Sequence, residues 1–112
     1  MEATIIQLCR SQGLSLGLAE SMTGGLIASR ITSQPGSSDV FKGGIIPYST
    51  DIKQSILKVT DGPVISQAAV EQMAEGACTI LNCDVSVAVS GNAGPTASED
   101  EVGRVWMATS VD

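Results

Sequence analysis

Apolar and polar positions alternate with two different periods along this chain, and the switches between them mark out the elements. Ile5, Ile6, Leu8 and Cys9 fall near one face of a helix predicted over Ala3 to Gln12, with Gly13 as its terminator. Leu14, Leu16 and Leu18 then alternate, the pattern of a strand. Helical spacing returns at Leu26, Ile27 and Ile31, within a helix predicted from Gly24 to Ser33. The turn residues Gln34 to Ser38 read as a loop. Phe41 to Ser49 reads as a strand interrupted by Gly43-Gly44 and by Pro47, which cannot donate to a ladder and so points to an edge or a bulge. A short helix over Asp51 to Leu57 and a turn at Thr60-Asp61-Gly62-Pro63 follow. The longest helix is expected over Ser66 to Leu81, capped by Ser66 and burying Ala69, Val70, Met73, Ala77 and Ile80. Val85, Val87 and Val89 alternate in a strand over Asp84 to Ser90. A polar loop from Gly91 to Gly103 leads to a last strand, Arg104 to Ser110.

Alternating helices and strands predict an α/β fold, a layered domain of helices and strands. The 112 residues fit one domain, spanning 1–112. No covering element follows the last strand, so the domain reads as short at its C-terminus, and self-association into a homo-oligomer is expected. Met1 directly precedes the first helix, which favours a stand-alone protein.

Composition narrows the chemistry. With 12 acidic against 6 basic residues, the net charge of −6 argues against a nucleic-acid groove. A small phosphate ligand needs only a local pocket and stays open. The three cysteines, Cys9, Cys78 and Cys83, lack the spacing of a disulfide framework or a zinc site, which favours a reduced, cytoplasmic setting. No apolar run approaches a membrane span, and no membrane partner is expected. Histidine is absent, which removes Ser-His-Asp and Cys-His catalysis and every histidine metal site. Any catalytic base is therefore Lys, Tyr, Asp or Glu.

Three segments carry candidate chemistry. Glu20-Ser21-Met22-Thr23-Gly24-Gly25 joins a strand to a helix. Such a turn presents free N–H groups at the positive end of the helix dipole, a natural anion site, or else it is only a capped helix start. Ser90 to Pro95 is a second Gly-rich turn after a strand, and ligands of open α/β sheets bind beyond such strand ends. The third segment holds Tyr48, the single tyrosine, and Lys53. A desolvated lysine near a serine can act as its base. Read blandly, Tyr48 is a half-buried anchor and Lys53 a solvated helix residue.

Taken in order, Ala19 to Gly25, Pro35 to Ser38, Gly43-Gly44, Tyr48-Ser49, Lys53, Met73 to Ala77 and Gly91 to Pro95 resemble the CinA C-terminal family, which includes nicotinamide-mononucleotide deamidases. The resemblance covers nearly the whole chain. It implies a three-layer α/β/α sandwich around a mixed, mostly parallel sheet, and hydrolysis of the carboxamide of nicotinamide mononucleotide to the acid and ammonia, with no cofactor and no metal. It implies Ser21 as nucleophile, with Tyr48 and Lys53 activating it or holding the substrate. Glu20, Thr23, Gly24, Gly25, Gly91, Asn92, Ala93 and Gly94 would line the pocket of the small-molecule nucleotide. Glu20 is expected to turn away from the reacting centre or to bond to backbone N–H groups. Lys53 is then left partly buried beside Tyr48, within reach of Ser21.

The chain departs from that family at several points. Met22 replaces a frequent cysteine, Thr50 a frequent asparagine, and Pro47 a small residue. Thr96 to Glu101 is acidic where the family carries glycines and a Lys-Pro pair. The alternative from another class is a nucleotide-binding or assembly module without turnover.

Overall fold

The computed structural model describes residues 1–60, 62–63, 65–91 and 105–111. Helix α1 (Glu2–Gln12) ends at Gly13, whose φ of 68° is the left-handed conformation that closes a helix and that glycine adopts without penalty. Then come β1 (Leu16–Glu20), α2 (Leu26–Thr32), a 3-10 turn (Ser37–Asp39), β2 (Phe41–Ile45), α3 (Thr50–Ser55), α4 (Gln67–Leu81), β3 (Val85–Gly91) and β4 (Val105–Val111). The strand order is β2-β1-β3-β4. β1 runs parallel to both β2 and β3, and β4 is antiparallel to β3. The expected mixed, mostly parallel sheet is present.

The two faces of that sheet pack separately. Leu16 and Leu18 join Ile6, Cys9, Ile31 and Val40 beneath α1 and α2. Ala19, Ala88 and Ala108 lie beneath α4, against Val70, Met73, Ala74 and Ala77, with Leu57 and Val59 from the segment after α3. Successive side chains of a strand point to opposite faces. The small residues of β1, β3 and β4 on the second face let α4 lie close. Ser66 caps α4 by accepting the Ala69 N–H at 3.1 Å, as its position in the sequence suggests.

Several boundaries move. β1 begins at Leu16 and continues through Glu20, because Asp84 takes the N–H and hydroxyl of Ser15 and anchors the strand's entry. α2 begins at Leu26, not Gly24, because Gly24 and Gly25 adopt φ of 64° and 103°, outside the helical region. β2 ends at Ile45, two residues before Pro47. The last strand, Val105–Val111, runs one residue past its expected end at Ser110, and its expected first residue, Arg104, lies outside the described residues. Asp61 and most of the Gly91 to Gly103 loop lie outside the described residues.

On β4 the face turned away from α4 is open. Val105, Met107 and Val111 are 47%, 63% and 75% exposed. No helix among the described residues is long and apolar enough to cross a membrane.

Candidate active site

The carboxyl end of β1 places two adjacent residues on opposite faces. Glu20 continues the Leu16 and Leu18 row toward α2 and is buried. One carboxylate oxygen accepts the Ile27 N–H at 2.9 Å and the Thr23 hydroxyl at 2.8 Å; the other accepts the Ala28 N–H at 2.8 Å. Leu26 and Ser29 donate their N–H groups to the Thr23 and Gly25 carbonyls. The first turn of α2 is thus fully satisfied from within. This corrects the expectation of a free helix terminus for an anion: a carboxylate from the preceding strand already sits there, matched to the dipole. It also answers where Glu20 points. The residue counted among those lining the substrate pocket spends its carboxylate on backbone N–H groups, and so does the Thr23 hydroxyl on Glu20.

Ser21 takes the other side. Its N–H donates to the Val89 carbonyl at 3.2 Å, which extends the β1–β3 ladder one position beyond the Glu20–Val89 pair and sets Ser21 beside Ser90. By alternation both belong to the α4 face, with Ala19 and Ala88. The Ser21 hydroxyl makes no hydrogen bond among the described residues. Its carbonyl accepts the Gly24 N–H at 3.1 Å, folding the chain into a tight turn. Within that turn the N–H groups of Met22 and Thr23 carry no hydrogen bond among the described residues.

Lys53 comes to this face from α3. It is only 4% exposed, and its Nζ donates to Ser90 Oγ at 3.4 Å. Ser90 itself is fully buried. The bland reading of Lys53 as a solvated helix residue is therefore set aside. Tyr48 behaves differently: it is 73% exposed, on the segment between β2 and α3. The structure brings Ser21, Ser90 and Lys53 together and leaves the Tyr48 ring in solvent, against the expectation of Lys53 buried beside it. Pro47, just before it, is the buried member of that segment. Gly91 closes β3, paired with Val105, at the edge of the same site. Asn92, Ala93 and Gly94 lie outside the described residues.

Ser90 is the residue that sequence reasoning passed over, treating it only as the start of a Gly-rich turn. The signal lay in the period of β3. Val85, Val87 and Val89 define one face, so Ser86, Ala88 and Ser90 share the other, and Ser90 is the last of them before the strand ends. Ser86 spends its hydroxyl on the Ala74 carbonyl of α4. Among the described residues no cluster of three or more potential metal ligands occurs.

Comparison with known proteins shows what the whole chain is similar to. The family model for the CinA C-terminal domain matches residues 1–112. A CinA-like protein of Pseudothermotoga lettingae is 40% identical over 114 residues, covering 96% of this chain and 28% of that protein. The chain thus spans about a quarter of the length of the curated relatives it matches. The crystal structure of the competence/damage inducible protein CihA from Agrobacterium tumefaciens superposes with a TM-score of 0.91 at 37% identity, over 98% of this chain and 71% of that one. The competence damage-inducible protein A (ComA) from Klebsiella pneumoniae gives 0.92 at 30%, over 98% and 73%.

Proposed function

Because this chain belongs to the CinA C-terminal domain family, we propose that it hydrolyses the carboxamide of nicotinamide mononucleotide to nicotinate mononucleotide and ammonia. The observation that carries this reading is a buried lysine bonded to Ser90 at the end of β3, with Ser21, its hydroxyl unbonded among the described residues, across the ladder on the same face. Without histidine, a serine hydroxyl needs another base. A lysine serves only as the free amine, and withdrawal from water is the general physical means of favouring that form.

Ser21 Oγ attacks the carboxamide carbon, and its proton passes toward Lys53. The N–H groups of Met22 and Thr23, directly after the nucleophile and unbonded among the described residues, point to a place for the oxyanion. Collapse expels ammonia, which takes the proton back, and water then releases the acid from Ser21. Gly91, at the end of β3, lies on the nucleotide side of the pocket in this reading. Glu20 holds the turn from behind by fixing α2. Tyr48, exposed in the unliganded chain, closes on the substrate rather than on Lys53. The working protein is cytoplasmic and self-associated, the open apolar row on β4 being the support for the second part.

The decisive assay is ammonia release from nicotinamide mononucleotide. We expect turnover in the wild type. Ser21→Ala is expected to lower it by at least about 1,000-fold while leaving binding within about tenfold. Turnover retained by Ser21→Ala sinks the nucleophile. No ammonia from the wild type, together with a thermal shift on adding the nucleotide, reduces the chain to a binding module.

A further inference from the structure

We propose that Ser90 is the hydroxyl through which Lys53 reaches Ser21, a positioning and relay residue for the serine chemistry; the inference rests on the reading of Ser21 as nucleophile. Lys53 Nζ is placed 3.4 Å from Ser90 Oγ, and the contact is buried. Ser21 follows across the sheet, one ladder position beyond the Glu20–Val89 pair and on the same face. Neighbouring strands lie about 4.8 Å apart, so serines paired across them bring their hydroxyls within a rotamer of contact. A lysine approaching from α3 therefore meets Ser90 before Ser21.

A hydroxyl both accepts and donates, which suits it to this position. While Lys53 is an ammonium, it donates to Ser90. Once Lys53 is the free amine, the chain of bonds reverses. Ser90 gives its own proton to Nζ as it takes the Ser21 proton, and the Ser21 oxygen forms its bond to the acyl carbon. The carbonyl π pair moves onto oxygen. When the C–N bond breaks, the departing nitrogen takes a proton from Lys53 by the same route. Lysine and Ser90 end the acylation half as they began it. Ser86, two places earlier on the same face, is occupied by the Ala74 carbonyl, so of the two β3 serines on that face Ser90 is the one that meets Lys53.

The test uses a fluorophosphonate that phosphonylates activated serines, on the full chain, with sites mapped by peptide mass spectrometry. It needs no nucleotide. We expect the wild type to be labelled on Ser21. Ser90→Ala should be labelled at least about 100-fold more slowly, and Ser90→Thr, which restores a hydroxyl, within about tenfold of wild type. Lys53→Met should be as slow as Ser90→Ala, and the double variant no slower than either, as expected of residues acting as one unit. Ser90→Cys, nearly equal in size, supplies the same comparison if Ser90→Ala does not fold. Label on Ser90, Ser21 unlabelled in the wild type, or Ser21 labelled at the wild-type rate in Ser90→Ala would each overturn the proposal. A wild type that labels as expected but yields no ammonia from nicotinamide mononucleotide fails the substrate reading alone.

Discussion

Glu20 and Ser21 are neighbours in the chain, both almost wholly buried, and they serve opposite faces of the sheet. On the α2 face every oxygen of Glu20 has a donor, and every N–H it meets is satisfied. On the α4 face the Ser21 hydroxyl has no partner among the described residues, and a buried lysine stands beside its neighbour Ser90. The contrast separates two uses of a buried polar group. A carboxylate taken out of water is tolerated when hydrogen bonds replace its hydration, and it then acts as structure. A hydroxyl left unbonded on the face that holds a buried amine adds no hydrogen bond to stability and is available for chemistry.

The strongest way to break this comparison is at Glu20. Glu20→Ala leaves the Ile27 and Ala28 N–H groups without their acceptor in a buried turn. Loss of a buried charged acceptor of this kind costs about 3 kcal/mol. Urea unfolding should show that loss with the slope unchanged. Ser21→Ala removes one unbonded oxygen and should stay within about 0.5 kcal/mol of wild type. If instead Glu20→Ala keeps wild-type stability and changes only ligand binding, the carboxylate belongs to the pocket and the division of the faces is wrong.

A second, smaller effect tests how each face sets its helix distance. A Cβ added at Gly76 of α4 would meet the backbone oxygen of Leu57 at 2.5 Å and its Cα at 3.1 Å. Leu57 closes the segment after α3, and the Val59 N–H returns to the Lys53 carbonyl, so a displaced Leu57 moves the lysine's helix. Gly76→Ala should therefore cost about 2 kcal/mol, although alanine is the better helix former by about 1 kcal/mol. Catalytic turnover should fall as well. On the other face, a Cβ at Gly44 meets Leu18 and Ala28 no closer than 3.7 Å, so Gly44→Ala should be nearly neutral. Thermal melting of the two variants makes the check, and equal losses would remove the asymmetry.

Much of this was legible in the residues. The layers follow from periodicity: Leu16 and Leu18 against Ala19 on β1, and Ala69, Val70, Met73 and Ala77 on α4, each sort to the face that the pattern predicts, whereas Ile80, expected in the same buried row near the end of α4, is 47% exposed. Ser21 and Lys53 stood out because a chain without histidine has few other ways to activate a hydroxyl. What the sequence could not show depends on register. Whether Glu20 faces a ligand or a helix is decided by one step of alternation at a strand end, and by two left-handed glycines that delay α2 until Leu26. Ser90 becomes a neighbour of Ser21 only once β1 and β3 are known to be parallel and paired Glu20 to Val89. Tyr48 illustrates the converse. A lone tyrosine near a strand end reads as an anchor, yet the buried Pro47 takes that place and leaves the ring exposed.

The smallest expected effect concerns the far end of the α4 face, where Cys83 lies against the strand sheet. Burial, and after it the neighbouring Cys78 thiol, together push its thiol from the usual 9.0 up to about 11. In the unfolded chain the thiol ionises near its ordinary value, while in the folded chain it stays protonated. The folded state therefore holds more protons between about pH 9 and 11, and stability falls as pH rises through that window. Below pH 9 this contribution is fully present. By pH 10 its loss amounts to about 1 kcal/mol. Urea midpoints at pH 8 and pH 10 should therefore separate in the wild type by more than in Cys83→Ala, whose own cavity penalty cancels in the difference between the two pH values. Cys9, buried under α1 on the opposite face, is raised by burial alone, so Cys9→Ala should leave most of the alkaline loss in place. An equal alkaline loss in wild type and Cys83→Ala would show that the thiol beneath α4 ionises as readily folded as unfolded, and that this end of the face is wetter than its packing indicates.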